Sequence, residues 1–147
     1  MKKIDWCLEQ KKGIELVEPN DTLSKAYFKD AGNSLLAMKI NIGTWKIVTA
    51  YYSCYNAFYA LLMKVGIKCE IHDCTLELMK VFEFSEEDIL FLKNLKKLRI
   101  DVQYYLTEPK EIDVKAVSSF VHKCREYSSK LDHDKIKIIR SELAKND

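Results

Sequence analysis

Apolar positions recur along this chain at the spacing of helices rather than strands. Leu23, Tyr27, Ala31, Leu35 and Met38 step by 4, 4, 4 and 3 and predict a first long helix from about Thr22 to Ile40, with Asn20 or Asp21 as its N-cap. Gly43 breaks the pattern, and Thr44 is placed to cap the next helix. This second long helix, about Trp45 to Val65, is apolar nearly all round and stops at Gly66. Its run IVTAYYSCYNAFYALLM approaches membrane-spanning length. A thin stripe of Thr49, Ser53 and Asn56, four tyrosines and the flanking Lys46 and Lys64 fit a central bundle helix better. After the loop IKCEIHD a short helix is expected over about Cys74 to Phe82. Ser85 with Asp88 reads as a capping box that opens a long helix to about Leu106. Pro109 separates a last helix starting near Asp113, where Val114, Val117, Val121, Cys124 and Leu131 repeat by 3, 4, 3 and 7. A short helix over residues 3–12, closed by Gly13, precedes these elements, and from Lys135 the charged tail either continues the last helix or frays.

The sum is an all-α fold: an up-and-down bundle of four to five helices with a short N-terminal helix. One domain is expected, with a core over about 22–131, an N-terminal extension over 1–20 and a charged tail over 132–147. Low glycine (4) and proline (2) counts argue against a hairpin-rich β-sandwich. A net charge of +2 is too small to imply a nucleic-acid partner by itself, so any basic surface has to be local. The start MKKIDWCLEQKK lacks the apolar region of a secretory signal. Five cysteines, an odd number without a CxxC pair, argue against a secreted disulfide framework. The expectation is a cytoplasmic chain with mostly buried or idle thiols, an internal disulfide fitting better if the source is a hyperthermophile.

The stretch LRIDVQYYL, residues 98–106, sets the functional question. At 100° per residue, Phe91, Leu92, Leu95, Leu98, Val102 and Leu106 form the core face of its helix. Arg99 and Gln103 lie on one flank, and Asn94, Asp101 and Tyr105 on the other. Ile100 and Tyr104 share the far face with Lys93, Lys96 and Lys97. That face is either a solvated surface with two stray apolar residues or a contact surface. Arg99 can hold a phosphate with both arms of its guanidinium. The competing role is a salt bridge to Asp101, Glu108 or a neighbouring helix.

Cys69, His72 and Cys74, with Glu70 and Asp73 between them, have the soft donors zinc takes, but no fourth ligand and no standard spacing, so a capping or loop-packing His72 is preferred. His122 and Cys124 face different ways on a helix and do not complete that set. His133 is expected in solvent. Tyr51, Tyr52, Tyr55 and Tyr59 have the rings for base stacking, but their spacing suits a core with satisfied hydroxyls. There is no phosphate-binding glycine loop, HExxH or G-x-S-x-G.

The stretch AYYSCYNAFYALLMKVGIKCEIHD resembles the HEPN domain signature. Ala50, Tyr51 and Tyr52 match its start, Lys64, Gly66 and Ile67 its end, and His72 its loop position. LRIDVQYY resembles the family's second element, an arginine on the last core helix followed by His or Tyr. The resemblance covers about residues 22–131, and the N-terminal DWCLEQKKGIELVEPN resembles an archaeal branch. It implies a small helical bundle, usually homodimeric, and many members are encoded beside a minimal nucleotidyltransferase and act with it as a toxin–antitoxin pair. Active members are metal-independent ribonucleases that use Arg and His of both subunits. Others bind nucleotide, RNA or a protein partner, and in some pairs a Tyr near the motif is modified. Here Ile100 follows the arginine, and Gln103, Tyr104 and Tyr105 stand where a His is expected. A free tyrosine, with a pKa of about 10, is a poor general base at neutral pH.

The expected function is therefore a HEPN-type module contacting nucleotide, RNA or a nucleotidyltransferase through Arg99, Gln103, Lys93, Lys96, Lys97, Ile100, Tyr104 and His72. The alternatives are a metal-independent endoribonuclease using Arg99 with Tyr104 or Asp101, and a purely structural interaction protein. No cofactor, metal or membrane is expected.

Overall fold

Asn20 starts the first long helix as its side chain accepts the amide of Leu23 at 2.9 Å, and Ser85 and Asp113 do the same for Asp88 and Ala116. A computed structural model describes residues 2–144. It contains α1 (Lys3–Glu9), β1 (Glu15–Leu16), α2 (Asp21–Ile40), α3 (Gly43–Val65), β2 (Ile67–Lys68), α4 (His72–Val81), α5 (Glu86–Tyr104), α6 (Val114–Lys130) and α7 (His133–Ala144). The all-α class holds. The described residues form seven helices rather than four or five, with a two-stranded antiparallel ribbon pairing Glu15 with Lys68 and Leu16 with Ile67. None of these helices is long and apolar enough to cross a membrane.

The hydrophobic α3 is the axis, packed against α2, α5 and α6. Phe58, Leu61 and Leu62 are fully buried on it, each stabilising the fold by ~1.5–3 kcal/mol relative to an exposed side chain. Gly66 ends α3 in the left-handed region at φ +89°. The carbonyls there are taken by Arg140 of α7, whose Nη1 donates to Val17, Val65 and Gly66 at 2.7, 3.1 and 2.9 Å.

Several expectations are corrected. As far as Ala144 the tail neither continues α6 nor frays from Lys135: after a break at Leu131 and Asp132 a separate helix, α7, docks, burying Ile139 and Leu143 in the same hydrophobic cluster that begins at Cys7. The first helix ends at Glu9 rather than at residue 12, and α4 begins at His72 rather than Cys74. The Ser85 capping box is only half made, because the Asp88 carboxylate turns to Lys123 at 2.9 Å. Ser53 is no part of an exposed stripe: it is fully buried and donates to the carbonyl of Ala50. The half-buried line on α3 is Thr49, Tyr52 and Asn56. Two thiols are not idle, since Cys7 of α1 and Cys74 of α4 form a disulfide across 67 residues of sequence. Cys54, Cys69 and Cys124 are free and buried. Burial pushes the Cys54 thiol up to about 12.

Candidate anion site around Arg99

The buried stripe of α5 is Ile89, Leu92, Leu95, Arg99 and Val102. Arg99 thus stands inside the core line that the periodicity assigns to Leu98. Leu98 is only partly buried, and Leu106 lies beyond the helix, exposed, at φ +54°. An arginine fits an apolar position here because α3 presents an aromatic bed to it. Its guanidinium carbon is 4.9 Å from the ring centre of Tyr51, 5.6 Å from that of Tyr52 and 5.6 Å from that of Tyr104.

No carboxylate among the described residues lies within ion-pair distance of Arg99. Asp101, the expected partner, turns to Lys97 at 3.1 Å. Arg99 is 6% exposed, its Nη1 reaches Oε1 of Gln103 at 3.4 Å, and its Nε is buried without a hydrogen-bond partner. Burying this guanidinium costs free energy, which the three aromatic rings and the Gln103 carbonyl offset without supplying a counter-charge.

His72 opens α4 beside this cation. Its Nδ1 is 2.8 Å from the Tyr51 hydroxyl, and its ring stacks on Tyr55 with centres 4.2 Å apart. Burial, then the charges of Arg99 and Lys96, push its proton affinity below the ordinary histidine value, and Asp73 opposes them. Burial raises the Tyr51 and Tyr55 phenols well above the tyrosine range, so both stay protonated. The Tyr55 hydroxyl bonds Thr75 at 3.1 Å, and that of Tyr59 accepts the amide of Cys69 at 3.1 Å. Tyr51, Tyr55 and Tyr59 therefore match the expected core tyrosines with satisfied hydroxyls. Tyr51 and Tyr52 are also walls of the site, a role the helical spacing does not signal.

Of the remaining predicted residues, Lys93, Lys97 and Ile100 stand apart from this centre, whereas Lys96 acts on His72 and Tyr104 leans over Arg99. Lys93, Lys96, Lys97 and Ile100 line a cleft of about 330 Å³ with Lys3, Asp73, Leu76 and Glu77. Each of the lysines on α5 has a carboxylate: Lys96 is bonded to Asp73, Lys97 to Asp101, and Lys93 lies 3.9 Å from Glu77. Tyr104 does not join them; it is 65% exposed and leans towards Arg99. The Cys69, His72 and Cys74 set is broken, because the Cys74 sulfur is bonded to Cys7 and His72 Nδ1 to Tyr51. His133 is exposed at the start of α7, as expected. The α2–α3 turn faces the chain that follows α5, Gly43 meeting Pro109, and apolar side chains on both are exposed: Ile40, Ile42 and Trp45 on one, Tyr105 and Leu106 on the other. No family model matches this chain, and no curated protein matches it.

Proposed function

We propose that this chain is a HEPN-type module, an up-and-down bundle built on α2, α3, α5 and α6, that works in the cytoplasm as a homodimer and holds a phosphate of a nucleotide or RNA at Arg99. In this reading it pairs with a nucleotidyltransferase in the manner of a toxin–antitoxin system. The observation that carries the reading is Arg99 itself: a buried guanidinium, walled by tyrosines, with no carboxylate among the described residues to pair it. The exposed apolar residues Ile40, Ile42, Trp45 and Leu106 support self-association near that end of the bundle. The test is fluorescence anisotropy of a short single-stranded RNA with the wild-type protein and Arg99→Gln, beside light scattering at micromolar concentration. Binding lost in the variant and a dimer mass are expected. Equal affinity in both proteins, or a strict monomer, would refute the reading.

A second reading, a metal-independent endoribonuclease, is favoured by one observation: an imidazole stands beside Arg99 although the helix itself lacks a histidine. The two readings separate on cleavage of RNA in the presence of a chelator. Cleavage abolished by Arg99→Ala supports the enzyme, and binding without cleavage supports the module.

A further inference from the structure

We infer that Arg99 and His72 form a single seat for a terminal phosphate monoester, and that filling it draws a proton onto His72. This rests on the reading of Arg99 as a phosphate contact and adds the second group, the charge state and the preferred ligand.

Two independent features meet here. The first is the 6% exposed Arg99, with its unpaired Nε and no carboxylate partner among the described residues. The second is the fixing of His72. The Tyr51 phenol keeps its own proton because it is buried, and we assign it as the donor to Nδ1 of the neutral imidazole. The ring hydrogen is then on Nε2. When the ring gains a second proton, Nδ1–H donates to the Tyr51 oxygen instead. The Nε2–H is a donor in both states, and only the charge changes. Stacking on Tyr55 at 4.2 Å and the edge of Tyr52 hold the ring plane.

Charge then selects the ligand. A phosphodiester carries one negative charge, which Arg99 alone matches. A phosphate monoester near neutral pH carries between one and two, and its second charge has no partner while His72 is neutral. The groups facing His72 are Tyr51, Tyr52 and Tyr55 from α3, Lys96 and Arg99 from α5, and Asp73 on α4 itself. Lys96 is already bonded to Asp73, which leaves Arg99 as the uncompensated charge opposing protonation. An anion on Arg99 removes that opposition and adds attraction of its own. Monoester binding and proton uptake at His72 are thus linked, and each strengthens the other.

The test is calorimetric titration of the full chain with adenosine 5′-monophosphate and with the diester ApA, in two buffers of different ionisation enthalpy, from about pH 6 to about pH 8. Wild type is expected to take up a fraction of a proton with the monoester and less with ApA. Monoester affinity should rise as pH falls, by at most about tenfold per pH unit. In His72→Gln, monoester binding should persist in weakened form with uptake abolished, while ApA affinity changes little. Arg99→Lys, which keeps the charge and so guards against a folding artefact, should retain partial binding and partial uptake. Monoester binding with no uptake, or with uptake unchanged in His72→Gln, would overturn the inference while the Arg99 reading stands. No binding of AMP, ApA or RNA at any of these pH values would overturn both.

Discussion

The Tyr51 hydroxyl lies 2.8 Å from Nδ1 of His72, joining the middle of α3 to the first residue of α4. Tyr51 is fully buried, so Tyr51→Phe keeps the ring packing and removes only the hydroxyl. The half-buried Nδ1 loses its protein partner. A loss of about 1 kcal/mol in folding stability is expected, read by urea denaturation. NMR of the His72 ring nitrogens should show a single tautomer in wild type and a mixture in the variant. An unchanged ring spectrum would mean that Tyr51 does not set the tautomer.

Acid should weaken this fold in two separate windows. His72 binds its proton more weakly when folded than when unfolded. Between the ordinary histidine value of about 6.5 and its lower folded value, the unfolded chain holds more protons. Stability is therefore full above that window and falls as pH drops through it. Asp73, held below its ordinary value mainly by its bond to Lys96, acts in the carboxylate range. Its contribution is present above the ordinary aspartate value of about 3.9 and is lost as pH falls through the folded value. Asp73 is half exposed, so its share is the smaller one. Melting temperature against pH should show both steps, with His72→Gln flattening the upper one and Asp73→Asn the lower. A profile in which His72→Gln leaves the upper step intact would assign that step elsewhere.

The Cys7–Cys74 disulfide closes a loop spanning 67 residues. A loop of that length is worth up to about 4 kcal/mol through the unfolded chain. It also fastens α1, which at seven residues is too short to persist alone, against α4. Mass spectrometry after alkylation without reductant should find three alkylated cysteines in the denatured protein, Cys54, Cys69 and Cys124. Dithiol reductant, or Cys7→Ser, should lower stability by a few kcal/mol. Five alkylated cysteines in the unreduced protein would show the pair to be open thiols.

What the sequence disclosed and what it withheld divide along the range of the forces involved. Asn20, Gly66 and Ser85 mark helix ends through contacts within one turn, so their roles are readable from neighbours alone. The same local rule assigns Leu98 and Leu106 to the core, and there it fails. The buried stripe of α5 runs through Arg99 because tyrosines of α3, far earlier in the chain, supply its surroundings. No periodicity within α5 carries that information. The disulfide depends likewise on α1 and α4 meeting in space, and α7 docks through Arg140 reaching carbonyls around Gly66. For the candidate site, Arg99 and His72 stand out singly in the sequence. Their common partner Tyr51 is hidden there, because a buried tyrosine in an apolar helix looks the same whether its hydroxyl serves the core or a site.

Arg99 and the lysine face can be told apart by RNA binding. Lys93 and Lys97 are exposed but already face Glu77 and Asp101, so engaging a phosphate means giving up part of an existing attraction. Arg99 has no ion pair among the described residues to give up, only its contacts with Gln103 and the tyrosine rings. Lys93→Ala and Lys97→Ala should each weaken binding of a short single-stranded RNA by less than about threefold, since exposed pairs are worth ~0–1 kcal/mol. Arg99→Gln should weaken it by at least about tenfold, as expected for a charge-assisted contact of ~1.5–3 kcal/mol. The salt dependence should agree. Each phosphate neutralised contributes about −0.7 to the slope of log affinity against log salt for a single strand, so Arg99→Gln should make that slope shallower by roughly that amount, while the lysine variants leave it nearly unchanged. The opposite order, with the lysine variants costing more than Arg99→Gln, would move the nucleic acid to the cleft between α4 and α5 and leave Arg99 without its proposed ligand.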